Sequence, residues 1–507
     1  MGRLKEFWIK VLADRVARRF EESQRNPQAA QSRALRRLLA MNAQSEVGRA
    51  CGFDRVRNPD DMYDLPPSTP QSLAPFFERA RKLGSESRGI FGRSAPLAFI
   101  ETSGSTGRSR FVPVNRDAFR AYNRSLVRSL AAIVKGSPEQ WTRFFGRPYI
   151  AMTSVTPKET APGGLPVGYG SAVMELLSRA KANSRRYPTQ AVREMEDWEA
   201  KMEALYLETK DLDICAIMGF PRYVEDFTAH VLKRSGKRTL RELWPNVFLI
   251  VTGAVKTGDS FKRKLAEQWA GEGARFGREL HYLDVFSSTE GQYAVSWDAS
   301  GSSLTLDLLD NFYQFREPRG GRVLQIHEVQ VGVPYELLIT TPGGLVNFSL
   351  GDLIVFRELR PYRFEFGGRV RDEISLAGEQ LSYGNFEAAF RDFELETGRR
   401  VLDFAVWAES DPRRLHIVLP RSEATDGQND AELIARLDAI LCRIVDYYGV
   451  LRKEGFYLEP TLDWVEAEFF RAYRTRNFHR GQFKGRQLFS DPASFRKEYA
   501  LDAPPAL

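Results

Sequence analysis

Apolar residues recur every three or four positions at the start of the chain: Leu4, Phe7, Trp8, Val11 and Leu12, then Leu35, Leu38, Leu39 and Met41. That spacing predicts helices over residues 1 to about 60. Pro66, Pro67 and Pro70 mark an ordered turn before a helix near Leu73 to Ala80. The apolar residues ending at Ile100 read as a strand. Residues 188–210 read as one long amphipathic helix that starts at Pro188. Val192, Met195, Trp198, Met202 and Leu205 line one of its faces and read as core. Val247–Val251 is a short run of β-formers, read as a buried strand. Tyr335–Thr340 and Leu353–Phe356 predict further strands. Strands alternating with helices imply an α/β domain.

The pattern changes near Gly367 to Asp372, where a glycine pair flanked by charges suits a domain joint. Beyond it a helix around Asn385–Glu396 would bury Phe386, Phe390 and Phe393. Strands follow at Val401–Trp407 and Leu415–Leu419. A helix over about Ala431–Tyr447 carries Leu433, Leu437, Ile440, Leu441 and Ile444 on one face. Glu423–Asp430 reads as a polar loop. The reading is a large domain over 1–368, a small α+β cap over 369–507 and a hinge near 368–372. A chain of 507 residues is too long for one simple core, which agrees.

Composition narrows the function. Cys51, Cys215 and Cys442 are few, distant and odd in number, so they imply no disulfide framework. Five scattered histidines show no zinc-ligand spacing. The net charge of +7 comes from bases interleaved with acids, with no nucleic-acid-binding motif. A small anionic substrate fits better than a polymer. No apolar run reaches membrane-helix length, and the start, Met1–Glu6, is charged. The expectation is a cytoplasmic protein without membrane or nucleic-acid partners.

The candidate chemistry begins in Glu101–Arg110, ETSGSTGRSR. Gly104 and Gly107 allow a tight turn and close approach to a bulky anion. Successive backbone N–H groups in such a turn form an anion-binding concavity. Ser103, Ser105 and Thr106 add hydroxyls, and Arg108 and Arg110 add charge. A triphosphate is the guest that this suits, although the Walker ending is missing. A plain Ser/Gly surface turn is the alternative. Further along come Thr252–Gly253–Ala254 after the buried strand, Phe286 to Gly291 (FSSTEG), Leu350–Gly351–Asp352, Gly368–Arg369 and Lys484. For Glu290 a helix N-cap is an alternative role, for Asp352 the close of a β-turn, and for Lys484 a solvated charge.

That order resembles the adenylate-forming superfamily. More closely it resembles the Gretchen Hagen acyl acid amido synthetases and their bacterial relatives. Leu65 to Phe76 (LPPSTPQSLAPF), Trp244–Pro245–Asn246, Glu328 to Gly332 with Tyr335–Glu336, and Gly481 to Lys484 carry the same resemblance. It spans about Leu65 to Lys484. It implies a large adenylating domain of mixed sheets flanked by helices, with a β-barrel, and a mobile α+β cap. The implied activity uses ATP to convert a carboxylic acid into an acyl-AMP and passes the acyl group to an amino acid or small amine. Acyl-CoA ligation and non-catalytic nucleotide binding stay open as alternatives.

By the same resemblance Ser103, Gly104, Ser105, Thr106, Gly107 and Arg110 contact the phosphates, and Ser288 and Thr289 lie near them. Glu290 holds magnesium. Gly253 and Ala254 meet adenine, with Phe286 as a stacking partner. Asp352 grips the ribose hydroxyls, Arg369 contacts ribose or phosphate, and Lys484 closes on the α-phosphate. The chain departs from the plant pattern: its phosphate loop is shorter, and its hinge, with Gly368–Arg369 and Gly378–Glu379, reads more like that of the acyl-CoA ligases. Arg110 stands where lysine is usual, and Ser349 replaces a basic residue before Gly351–Asp352, so an assisting cation must come from elsewhere.

Overall fold

A computed structural model describes residues 3–102, 110–136, 146–152, 159–178, 185–195, 197–253, 259–277, 279–297, 304–317, 321–369, 373–374, 381–401, 403–421, 430–477 and 486–499. The chain divides into two compact units. One is Met1–Leu350 with Ile354–Glu365, and the other is Gly351–Leu353 with Phe366–Leu507.

The first unit is built on a mixed sheet of twelve strands. Their order is Val323–Gln325, Phe312–Arg316, Pro334–Thr340, Phe348–Leu359, Tyr362–Arg369, Leu304–Leu306, Gly291–Ser296, His281–Ser288, Leu249–Gly253, Ala216–Gly219, Tyr149–Met152 and Arg186–Tyr187. The last five are parallel to their neighbours, and the pairings beyond them described in register turn antiparallel. The strand at Leu249 is buried because helices pack over it, which is why its sequence is a continuous apolar run rather than an alternating one. The strands from Leu304 to Arg369 continue the hydrogen-bonded order of this one sheet. A second sheet of four strands carries Pro96–Thr102 and Arg110–Asn115 side by side.

The N-terminal helices Arg3–Arg25 and Pro27–Asn42 are fastened by buried amides. Gln24 Nε2 donates to Leu306 O at 2.9 Å, and Gln24 Oε1 accepts from Tyr362 N at 3.0 Å. Gln31 Nε2 donates to the carbonyls of Leu308 and Asn311, and its Oε1 accepts from Tyr313 N. Asn42 Nδ2 donates to Thr341 O at 2.9 Å. Each bond satisfies a backbone group that would otherwise be orphaned in the core. On the helix Arg116–Gly136, buried Arg128 pairs with Asp307 and Asp310 at 2.6 and 2.5 Å.

The second unit has a four-stranded sheet in the order Thr461–Val465, Arg413–Pro420, Ala405–Ser410 and Leu488–Phe489. Alternate residues serve its two faces. Val406, Ala408, Leu415, Ile417 and Leu419 pack under the helices Tyr383–Thr397 and Asp430–Ile444, with Phe386, Phe390 and Phe393. Trp407, Val418 and Val465 pack on the other side with Phe470, Phe495 and Tyr499. Cys215 is buried and Cys51 and Cys442 are half-buried, all free; burial pushes their thiols up, Cys215 to about 12.

Three sequence expectations need correction. The helix over 188–210 is two, Gln190–Arg193 and Trp198–Thr209. Asp197 caps the second by accepting from Ala200 N at 2.6 Å, and Lys201 Nζ donates to the carbonyls of Arg193 and Met195, closing off the first. The stripe is core, as expected. The helix over 431–447 ends at Ile444, and another runs Asp446–Lys453. Gly449 allows their close crossing, since a Cβ there would lie 2.8 Å from Cys442 O. The strand at Val401 starts only at Ala405, because Val401 N is spent on the Glu394 carboxylate at 2.6 Å.

Candidate active site

The strands Pro96–Thr102 and Arg110–Asn115 pair antiparallel with Thr102 opposite Arg110. They bring the two ends of the Ser/Gly segment together. Ser103, Gly104, Ser105, Thr106 and Gly107 themselves lie outside the described residues, as do Ala254, Lys484 and the hinge pair Arg371 and Asp372. Nothing is described of the Arg369 side chain; its backbone ends the strand Tyr362–Arg369 in the second unit.

Arg110 reaches across to Glu290. Its Nη2 lies 3.4 Å from Glu290 Oε1, while its Nη1 is shut off from solvent and finds no hydrogen-bond acceptor among the described residues. Glu290 is no helix N-cap. Ser288 pairs with Gly291, so Thr289 and Glu290 form the two-residue tip of a hairpin between His281–Ser288 and Gly291–Ser296. Its carboxylate is buried. Ser288 Oγ and Thr289 Oγ1 lie 2.6 and 3.0 Å from Oε2, both placed to donate to it. Ser288 Oγ also meets Tyr293 OH at 2.6 Å and accepts from Glu290 N at 3.1 Å. Tyr293 is fully buried and packs so close to Gly291 that a Cβ there would lie 3.0 Å from its ring. The turn is thus fixed from below, and its carboxylate is aimed.

Phe286, half-buried on the same strand, sits edge-to-face with Tyr293 and Phe364, at 5.9 and 5.4 Å between ring centres. One strand over, Gly253 pairs with Val285, beside Phe286. A Cβ on Gly253 would lie 3.0 Å from Val285 O, so packing alone favours glycine there. The hydroxyls of Thr252 and Tyr282 bond to each other beneath it. Arg110, Glu290, Ser288, Thr289, Phe286 and Gly253 are therefore brought onto neighbouring elements of one unit.

Asp352 does not close a turn between two strands. It lies within the continuous strand Phe348–Leu359, directly after Gly351, whose φ of 71° demands glycine. Three residues earlier, Ser349 donates to Glu336 Oε1, and Arg316 Nε and Nη2 donate to Glu336 Oε2 at 2.8 and 2.5 Å. Sequence reading missed Arg316, a cation that shares Glu336 with Ser349, the residue standing where a basic one was expected. The available signal was Glu336, a carboxylate inside a buried apolar strand. The stretch Leu65–Phe76 braces the same strand: Ser68 N donates to Asn347 O, Ser349 N to Ser68 O, and Asn347 Nδ2 to Leu65 O.

Chemically, the donor set suits an anion with a hard cation. Arg110 holds an unused buried N–H, which an oxyanion would satisfy. Glu290, with two hydroxyls beside it, offers only oxygen ligands, and magnesium bound with a nucleotide takes one or two carboxylates besides the phosphates. Among the described residues no group of three or more His, Cys, Asp or Glu side chains gathers to hold a metal alone. No described helix is long and apolar enough to cross a membrane.

Comparison with known proteins follows the same lines. Two solved structures of a GH3.15 acyl acid amido synthetase superpose along nearly the whole chain. One, at 16% identity, covers 97% of this chain and 96% of its own with a TM-score of 0.72. The other, AtGH3.15 in complex with 2,4-DB, at 15% identity, covers 99% and 97% with a TM-score of 0.75. A 2-hydroxyisobutyryl-CoA ligase in the postadenylation state, 13% identical, covers 95% of this chain and 90% of its own at a TM-score of 0.55. At such identities the likeness is one of fold: a large α/β N-terminal domain with a smaller C-terminal one. Sequence comparison with curated proteins gives no match. Residues 16–204 match the GH3 family N-terminal domain and residues 309–369 the GH3 family central domain. With both domains present in order, and the fold in agreement from end to end, the chain belongs to the GH3 family.

Proposed function

We propose that the protein is an adenylate-forming ligase that makes amides. A carboxylate oxygen attacks the α-phosphorus of ATP, pyrophosphate leaves and an acyl-AMP forms. A neutral amine of an amino acid or small amine then attacks the acyl carbon, and AMP leaves with the oxygen that it gained. The observation that carries this reading is the Arg110–Glu290 pair. An orphaned guanidinium nitrogen and an aimed carboxylate stand together at the end of the Ser/Gly segment, in a GH3 chain.

In this reading Arg110, with Ser103 to Gly107, binds the outgoing phosphates, and Ser288 and Thr289 orient Glu290. Magnesium, when bound, supplies charge neutralisation at the phosphates, and Glu290 is the side chain that would hold it. Gly253 and Ala254 leave room for adenine beside Phe286. Asp352 accepts from the ribose hydroxyls, Arg369 contacts ribose or phosphate, and Lys484 offsets charge developing at the α-phosphate. The second unit, hinged near 368–372, is read as a cap that repositions between the half-reactions. The partners are small acids and amines in the cytoplasm. Acid-dependent exchange of labelled pyrophosphate into ATP tests the first step. Product mass with an amino-acid panel, and separately with CoA, tests the acceptor. Exchange without amide but with a thioester would replace the amine by CoA, and no exchange across a broad acid panel would refute the enzyme.

A further inference from the structure

Tyr293 lies in the strand Gly291–Ser296, fully buried, with its ring edge-to-face on Phe286 at 5.9 Å. It belongs to an apolar cluster that also holds Phe99, Leu306 and Ile354, where a phenylalanine ring would pack as well. Tyrosine differs from phenylalanine only in its hydroxyl, and a buried hydroxyl is kept where it has a partner. Here that hydroxyl lies 2.6 Å from Ser288 Oγ, directly beneath the turn that carries Glu290.

Ser288 Oγ has a single hydrogen to give. Its close polar neighbours are Glu290 Oε2 at 2.6 Å, Glu290 N at 3.1 Å and Tyr293 OH at 2.6 Å. A backbone N–H only donates, and a carboxylate only accepts. Two oxygens 2.6 Å apart repel unless a hydrogen lies between them, so the serine hydrogen points to Glu290. Toward the tyrosine, Ser288 Oγ is then an acceptor, and Tyr293 donates. The donors run one way, from Tyr293 to Ser288 to Glu290 Oε2, and each bond polarises the next. Thr289 Oγ1 donates to the same oxygen at 3.0 Å. With Oε2 held by both hydroxyls, Oε1 is the oxygen that faces Arg110. We infer that Tyr293 is a positioning residue that acts through Ser288 to orient the magnesium-binding carboxylate. The inference rests on the reading of Glu290 as the magnesium ligand.

Tyr293→Phe in the full-length protein keeps the ring and removes the hydroxyl. In acid-dependent pyrophosphate exchange its half-saturating magnesium concentration should rise about three- to tenfold, the loss of one hydrogen bond, while the rate at saturating magnesium stays within about twofold. Ser288→Ala should raise the magnesium requirement at least as much. Adding Tyr293→Phe to Ser288→Ala should raise it no further, because the tyrosine acts through the serine. Titration of manganese in the presence of α,β-methylene-ATP, followed by electron spin resonance, should give the same order of affinities without turnover. Wild-type affinity for both metals in Tyr293→Phe, or effects of the two substitutions that multiply, would overturn the inference. If Tyr293→Phe does not fold, Ser288→Ala tests the same link from its other end, and an unchanged magnesium requirement there would overturn it. A Glu290→Gln protein with the wild-type magnesium requirement would remove both this inference and the reading of Glu290 beneath it.

Discussion

Replacing Glu290 by glutamine keeps the shape of the side chain and removes its charge. The oxygen facing Ser288 and Thr289 can still accept both hydroxyls, at 2.6 and 3.0 Å. Hydrogen bonds to a charged acceptor stabilise by about 1 kcal/mol more than neutral ones, so two of them lose about 2 kcal/mol. The amide nitrogen would face Arg110 Nη2, now 3.4 Å from a carboxylate oxygen, donor against donor. Arg110 is part-exposed, and an ion pair of this kind contributes less than about 1 kcal/mol. The expected loss of stability is thus about 2–3 kcal/mol by urea unfolding, which leaves a protein of ordinary stability folded at 25 °C. Activity should respond out of proportion. Acid-dependent pyrophosphate exchange should fall by about 10²–10³, as for loss of one group stabilising transition-state charge. The rate should be measured over a range of magnesium concentrations. A variant that loses the stability but keeps exchange within about threefold would refute the catalytic role and leave Glu290 as a turn-former.

Three further outcomes are expected. Gly291→Ala places a methyl 3.0 Å from the buried Tyr293 ring, so stability should drop by about 1–3 kcal/mol and exchange should fall as Ser288 loses its tyrosine; normal exchange would show that the turn adapts. Burial pushes the Asp463 carboxyl up to about 6, so its penalty is absent below about pH 4, grows between about pH 4 and 6 and is full above that. Asp463→Asn should therefore stabilise by about 3 kcal/mol at about pH 7 and by nothing at about pH 4, and equal unfolding curves at both pH values would contradict it. Lys484→Ala should slow exchange by about 10²–10³ while nucleotide binding, followed by calorimetry, persists; an unchanged rate removes Lys484 from the mechanism.

Much of the fold was legible because one-dimensional spacing reports burial. The phenylalanines at 386, 390 and 393 recur at helical spacing and are core. Helix interruptions were not legible, because Lys201 closing the end of its neighbour and Gly449 crossing Cys442 are contacts made only after folding. At the site, Glu290 stood out as an acid among small residues. Its partner Arg110 lies 180 positions away, and no local pattern joins them. The triad of Arg316, Glu336 and Ser349 spans three strands whose spatial neighbours are set by sheet order rather than by sequence. Gly253 ends its strand paired with Val285, and that close packing accounts for a glycine there whether or not a base sits beside it.

The amide clasps at Gln24, Gln31 and Asn42, with the Ser68 brace, carry a lesson for anyone cutting this gene. The family match divides the polypeptide into separate N-terminal and central pieces, yet each of these residues in the first piece completes backbone valences near or inside the second. An excised fragment ending near 204 would present those amides to water and leave their carbonyl targets behind. Chimeras between relatives should therefore exchange the helices and the 306–362 strands as one cassette.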